Sequence, residues 1–235
     1  MIKFFRKIRQ DLLMENKTGK YLKYAIGEIL LVVIGILIAL SINNWQQDRT
    51  NQQLEYRYIT NMISELKRDS VGLESLYQQL LNKDRIKYVY LDMLKNNQKD
   101  DSLKAYFGYQ WDPVRPYVPS RSTFTEMISN AHLGLVKPNN LREHIVETYT
   151  NYIDFTSRES DQFEGGLLLI EALRLRVPDL IDPTIVDILN LKDDFYIINR
   201  MTLNGSRTRS EDYRKMLIES NDLLQQLKVY QATLE

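Results

Sequence analysis

Residues 25 to 42, AIGEILLVVIGILIALSI, form an apolar run interrupted only by Glu28 and Ser41. At 1.5 Å per residue these positions reach about 27 Å as a helix, close to the thickness of a bilayer's hydrocarbon core. The core helix of a soluble domain is rarely apolar around its whole circumference for so many turns. The run therefore predicts a transmembrane helix over 25–42. Tyr21 and Tyr24 before it, and Trp45 after it, are interfacial anchors, since amphipathic rings prefer the headgroup layer.

Beyond the run the pattern becomes helical. Ile59, Leu66, Leu73, Leu80 and Leu94 keep a seven-residue spacing, Met62, Leu76 and Tyr90 fill the positions between, and Asp69, Lys83 and Lys87 break the seam. A coiled coil would not be interrupted so often. The spacing predicts a long amphipathic helix over 46–96, or two collinear helices bent near Gly72, stopping at Asn96–Gln98. Residues 106–119, YFGYQWDPVRPYVP, hold three of the six prolines and five aromatics. Proline at that density predicts an irregular loop, its aromatics either packed on the helices or forming a contact surface.

Capping signals divide the remainder. Thr123 and Glu126 have capping-box spacing and open a short helix to about Asn130. Pro138-Asn139-Asn140 opens another, with Glu143 three residues after Asn140, turning Leu141, Ile145, Tyr149, Tyr152 and Ile153 inward. Gly165-Gly166 is expected to interrupt it, leaving a further turn or two over 167–176. Asp182-Pro183 predicts a cap with proline at the first helical position, and a helix to about Leu203 that Asn204-Gly205 ends. A last helix, 210–233, presents Tyr213, Leu217, Leu224, Leu227 and Tyr230. No segment alternates like a strand. The expected fold is all-α: a tail over 1–24, one N-terminal transmembrane helix over 25–42, and a bundle-like extracytoplasmic helical domain over 43–235 built on a long membrane-proximal helix.

Charge sets the expected orientation. The chain carries 31 basic and 31 acidic residues, but residues 1–24 hold seven basic against two acidic, a balance of +5. Basic residues beside a span stay cytoplasmic, which places the N-terminus inside and 43–235 outside. Within the tail, Ile2, Phe5, Ile8 and Leu12 share one helical arc opposite Lys3, Arg6 and Lys7, as in an interfacial helix. A cleavable signal peptide with a site at Ala39-Leu40-Ser41 is the competing reading. The long apolar run and long tail argue instead for an uncleaved anchor. There is no cysteine, so no disulfide framework is expected.

Chemistry-bearing motifs are sparse. A zinc site needs three or four converging ligands, whereas the chain has two histidines and no cysteine. His132 reads as a solvated loop residue, and His144, in Glu143-His144-Ile145-Val146-Glu147, lacks the zinc-protease order. Asp100-Asp101 and Asp193-Asp194 lack calcium-loop spacing and read as a turn and a helix surface. The basic group Arg207, Arg209, Arg214 and Lys215 is balanced by acids and predicts no nucleic-acid partner. No catalytic, metal or cofactor residue is assigned. Glu28, the charge inside the apolar run, is the candidate intramembrane functional residue. The bland alternative is that it reaches the headgroups or pairs with Lys20 or Lys23. Gly27, Gly35 and Ala39 share one stripe and are the candidate helix–helix contact for a second span.

The segments RKIRQDLL and GKYLKYAIGEILLVVIGILIAL, followed by Asn43 and Trp45, and the stretch from Ser122 through Arg142, resemble a family of bacterial single-pass membrane proteins known only as a domain of unknown function. The resemblance implies an inner-membrane protein of a Gram-negative bacterium with a helical periplasmic domain. It implies no activity and no catalytic residues. The expected function is a non-enzymatic binding or scaffold module whose partners are the lipid bilayer and a protein partner or a second copy. A sensor or transport-accessory subunit working through Glu28, and an enzyme without a familiar motif, are the alternatives. They differ in what they need: an exposed apolar surface, an enclosed pocket between helices, or clustered polar groups in a cleft.

Overall fold

Thr18–Lys95 forms a single helix, α1, of 78 residues. It belongs to a computed structural model that describes residues 18–111, 113–203 and 207–234. The expected interfacial helix of the tail, and the side chains of Tyr21 and Tyr24, lie outside the described residues. The chain divides into two compact units, Met1–Leu54 and Glu55–Glu235. In the first, the helix is long and apolar enough near the N-terminus to cross a membrane, and none of its apolar window is buried.

The second unit begins within α1 and continues through α2 (Asp101–Trp111), a 3₁₀ turn at Leu133–Leu135 that follows α3 (Ser122–Ser129), α4 (Asn139–Arg174), α5 (Ile185–Asn190), a 3₁₀ turn at Leu191–Asp193, α6 (Phe195–Leu203) and α7 (Arg207–Gln231). Among the described residues there is no strand. Ile59, Met62, Leu66, Leu73 and Leu80 are buried as the seven-residue spacing requires, together with Tyr149, Tyr152 and Phe155 of α4 and Tyr213 and Leu227 of α7. Aromatic rings pack across these helices: Phe124 stacks on Tyr149 at 4.6 Å, and Phe155 meets Tyr213 edge-on at 4.9 Å. A second cluster joins Tyr90 and Leu94 of α1, Leu103 and Phe107 of α2, Leu169 and Leu173 of α4, and Ile188, Ile197 and Met201 beyond.

Several boundaries differ from expectation, each for an identifiable physical reason. Gly72 neither ends nor splits α1; it is the point where the Tyr117 ring packs so closely that an added Cβ would lie 2.2 Å from Tyr117 Cε2. Residues 106–111 are helical, because Asp100 caps α2 through Ser102 N at 2.9 Å and Leu103 and Phe107 bury one face. The irregular stretch begins only where the prolines do, at 113–121. Gly165-Gly166 do not interrupt α4, which runs for 36 residues and buries Phe155, Leu169 and Leu173 along its length. That packing outweighs roughly 1 kcal/mol of helix propensity at each glycine.

The caps differ too. Thr123 and Glu126 form no capping box, because both side chains are drawn to α1: Thr123 Oγ1 donates to Glu65 Oε1 at 2.9 Å and Glu126 Oε1 accepts from the Tyr58 hydroxyl at 3.1 Å. The α4 terminus likewise has no side-chain cap. The working capping box is Thr184 with Asp187, one residue after Pro183, and it starts α5 rather than one helix to Leu203. Asp194 starts α6, accepting from Ile197 N at 3.1 Å. Ile153 is 47% exposed rather than inward-facing, while Leu217 and Tyr230 are half-buried. Asn97 adopts φ 49°, and Gln98 N donates to Met93 O while Asn97 N donates to Leu94 O, closing α1 with a Schellman turn.

Candidate functional site

The interior of the second unit is threaded by carboxylates. Glu55, Glu65, Asp69 and Glu159 are all buried, and burying an ionised carboxylate is costly unless donors surround it. Donors do. Arg209, one turn before Tyr213 on α7, forks onto Glu159, with Nε 2.9 Å from Oε1 and Nη2 2.8 Å from Oε2. The Tyr213 hydroxyl donates to Glu159 Oε2 at 2.6 Å and accepts from Tyr117 N at 3.0 Å. The Tyr117 hydroxyl donates to Asp69 Oδ1 at 2.9 Å, and Ser120 N donates to both Asp69 oxygens at 3.1 Å. Glu65 Oε1 accepts from Ser122 Oγ, Thr123 Oγ1 and Thr123 N. Arg209 Nη2 also donates to Val114 O at 2.9 Å.

These bonds converge on the proline-rich stretch 113–121 and the start of α3. A segment that cannot satisfy its backbone through helix or sheet is satisfied by buried acids. Burial raises the Asp69 carboxyl above its ordinary value, against the Ser120 amide and Tyr117 hydroxyl bonds that lower it, and nearby Glu65 raises it further. Burial and Asp69 together push the Tyr117 hydroxyl up to about 12, and burial and Glu159 raise that of Tyr213. The tyrosines are thus protonated donors at neutral pH, suited to clamping rather than to proton transfer. Glu65 Oε2 and the Tyr149 hydroxyl are buried with no hydrogen-bond partner.

A different environment lies between α4 and α6. A cleft of about 500 Å³ is lined by Asp161, Gln162 and Gly165 on one side and Tyr196, Asn199 and Arg200 on the other. The guanidinium carbons of Arg200 and Arg176 stand 4.8 and 5.4 Å from the Tyr196 ring centroid. Arg176 is held in turn by Asp194 and by Ala172 O. Nearby in sequence, Leu175, Ile181, Phe195 and Leu203 are 84%, 90%, 82% and 73% exposed.

The residues singled out from sequence are distributed differently. Glu28 is half-buried along α1 in the first unit, where Gly27, Gly35 and Ala39 are open: a Cβ added at either glycine would meet nothing within 4 Å. Trp45 is exposed, with the Arg49 guanidinium 5.8 Å from its ring. His132 is not simply solvated; its Nδ1 lies 2.9 Å from the Tyr58 hydroxyl. His144 Nε2 is 3.8 Å from Asp222. The basic group near 207–215 is no surface cluster at Arg209, which is buried against Glu159. Asp194 is a helix cap and ion-pair partner rather than a bare helix surface.

The charged core residues carried a readable signal. Glu159 continues the inward series Tyr152, Phe155, and Asp69 falls between Leu66 and Leu73. A charge at an inward position marks either a broken seam or a buried, bonded acid, and the second is found here: Glu159 pairs with Arg209, and Asp69 accepts from the Tyr117 hydroxyl and Ser120 N. Arg176, Tyr196 and Arg200 had no such signal, since only the fold brings the two arginines to one ring.

The protein is thus a helical domain with a clamped interior, preceded by an apolar helix, and its sequence places it in a named family. The chain belongs to a family of unknown function, DUF6090, which matches residues 28–163. That match takes in Glu28 and the buried acids Glu55, Glu65, Asp69 and Glu159. No protein of curated function matches the chain, and no solved structure matches it.

Proposed function

We propose that this chain is a membrane-anchored binding module without enzymatic activity. In this reading residues 25–42 cross the inner membrane of a bacterium once, the N-terminus is cytoplasmic, and the helical domain lies in the periplasm and engages a protein partner. The observation that carries the binding role is that one stretch of the chain exposes the large apolar side chains of Leu175, Ile181, Val186, Phe195 and Leu203. Where such side chains adjoin on a surface, they mark an area that a partner covers. The +5 tail and the unburied apolar window support the anchoring half.

A photo-crosslinking amino acid at Phe195 or Ile181, introduced into the full chain in native membranes, tests the binding half. Discrete adducts at these positions, and none from Val71 or Val229 on other helices, are expected. Equal labelling at all four positions would remove the case for a docking surface here. A second copy and a different protein are distinguished by the mass of the adduct.

A further inference from the structure

We propose that the cleft between α4 and α6 binds a small zwitterion, a molecule bearing both an ammonium and a carboxylate, as free amino acids and short peptides do. Three observations lead to this. Arg200 Nε is buried without a hydrogen-bond partner, and among the described residues no carboxylate pairs with its guanidinium. A guanidinium half-removed from water calls for a flat anionic acceptor, and a carboxylate fits its fork in a bidentate way. Its position is already set, because it lies over the Tyr196 ring. That ring also faces Arg176, which Asp194 and the Ala172 carbonyl hold in place. The carboxylate site is therefore pre-organised rather than carried on a freely rotating side chain.

The second observation is the opposite charge. Asp161 lines the same cleft from α4, is exposed, and has no ion-pair partner among the described residues. Two unlike charges that share a cleft without pairing are placed to bind the two ends of one ligand. Gln162 and Asn199 line the cleft with them and supply amide donors and acceptors. The third observation is the glycine in the same wall. Gly165 sits inside a helix where glycine is disfavoured, yet a Cβ added there would meet nothing within 4 Å. Packing does not require glycine at this position, and the space beside it, where it lines the cleft, is open. A space of about 500 Å³ is of the size that holds small ligands.

The test is calorimetry on the full chain in nanodiscs, titrated separately with L-alanine, L-glutamate, L-alanyl-L-alanine, succinate and 1,4-diaminobutane. Saturable binding of at least one zwitterion is expected, with succinate and the diamine weaker by roughly tenfold or more. Whether the amino acids or the dipeptide bind tighter identifies the source of the ligand. Arg200→Gln and Asp161→Asn should each weaken that binding by about tenfold or more. Gly165→Leu keeps the helix and fills the cleft, so it should abolish binding while the melting temperature stays level or rises. Absence of binding for every zwitterion overturns the proposal. So does succinate binding as tightly as the zwitterions, or zwitterion binding that survives Gly165→Leu unchanged.

Discussion

Replacing Arg209 by methionine tests whether the buried acids hold the domain together. Arg209 is 5% exposed and Glu159 2%. Methionine fills similar volume but removes the three bonds that Arg209 makes to Glu159 and the one to Val114 O. Glu159 would keep the Tyr213 hydroxyl alone. Leaving one member of a buried ion pair uncompensated costs about 3–5 kcal/mol. For a domain of this size that corresponds to a melting temperature lower by about 6–20 °C. The double variant Glu159→Leu/Arg209→Met removes both charges and should recover most of the loss, since a buried pair replaced by apolar groups is often neutral. A residual cost of about 1–3 kcal/mol is expected from the Val114 carbonyl left without its donor and from the Tyr213 hydroxyl, which keeps the bond from Tyr117 N but loses the acceptor for its own proton. The assay is thermal and denaturant unfolding of the full chain in detergent, followed by circular dichroism. A single variant costing under about 1 kcal/mol, or a double variant no more stable than the single, would refute the clamp.

Gly72→Ala should destabilise by about 1–2 kcal/mol, the overpacking against Tyr117 outweighing the helix-propensity gain, whereas in a Tyr117→Ala background it should stabilise; a neutral effect in both backgrounds would show that the close approach is unimportant. Asp69 has a raised carboxyl pKa in the fold, so its stabilising contribution is complete below the unfolded value near 3.8 and is lost as pH rises through the folded value. Asp69→Asn should therefore flatten the fall in stability just above pH 3.8, and melting curves of wild type and variant that stay parallel with pH would contradict this. Glu28→Gln should leave membrane insertion and abundance unchanged, because in the proposed span a charge this near the end of the apolar run would reach the headgroups. Loss of function at normal protein level, rescued by Glu28→Asp, would instead assign the residue a role within the membrane.

Periodicity made the helices legible, and the seven-residue spacing on α1 located its buried face correctly from Ile59 to Leu94. Two of the misread local signals share a cause: tertiary partners override them. Thr123 and Glu126 have the spacing of a cap, yet α1 offers Glu65 and Tyr58 as competing partners. Gly165-Gly166 resemble a break, yet the apolar residues on either side pack well enough to carry the helix through. The proline-rich stretch was recognised as irregular, but the acids that hold it lie about fifty residues away on α1 and α4. The cleft was the least legible part, because its two walls are separated by about thirty residues of unremarkable sequence.

In the proposed reading, residues 25–42 anchor a helical domain to the membrane and place it outside the cytoplasm. Alkaline phosphatase fused after residue 235 and assayed in carbonate-washed membranes of a bacterial host tests it directly. Phosphatase folds only after export, and only an uncleaved span keeps it in the washed pellet. Strong activity in that pellet, carried by the full-length fusion, is expected. An inactive fusion would place the domain in the cytoplasm, and activity released into the soluble fraction would show a cleaved leader; either result contradicts the anchor.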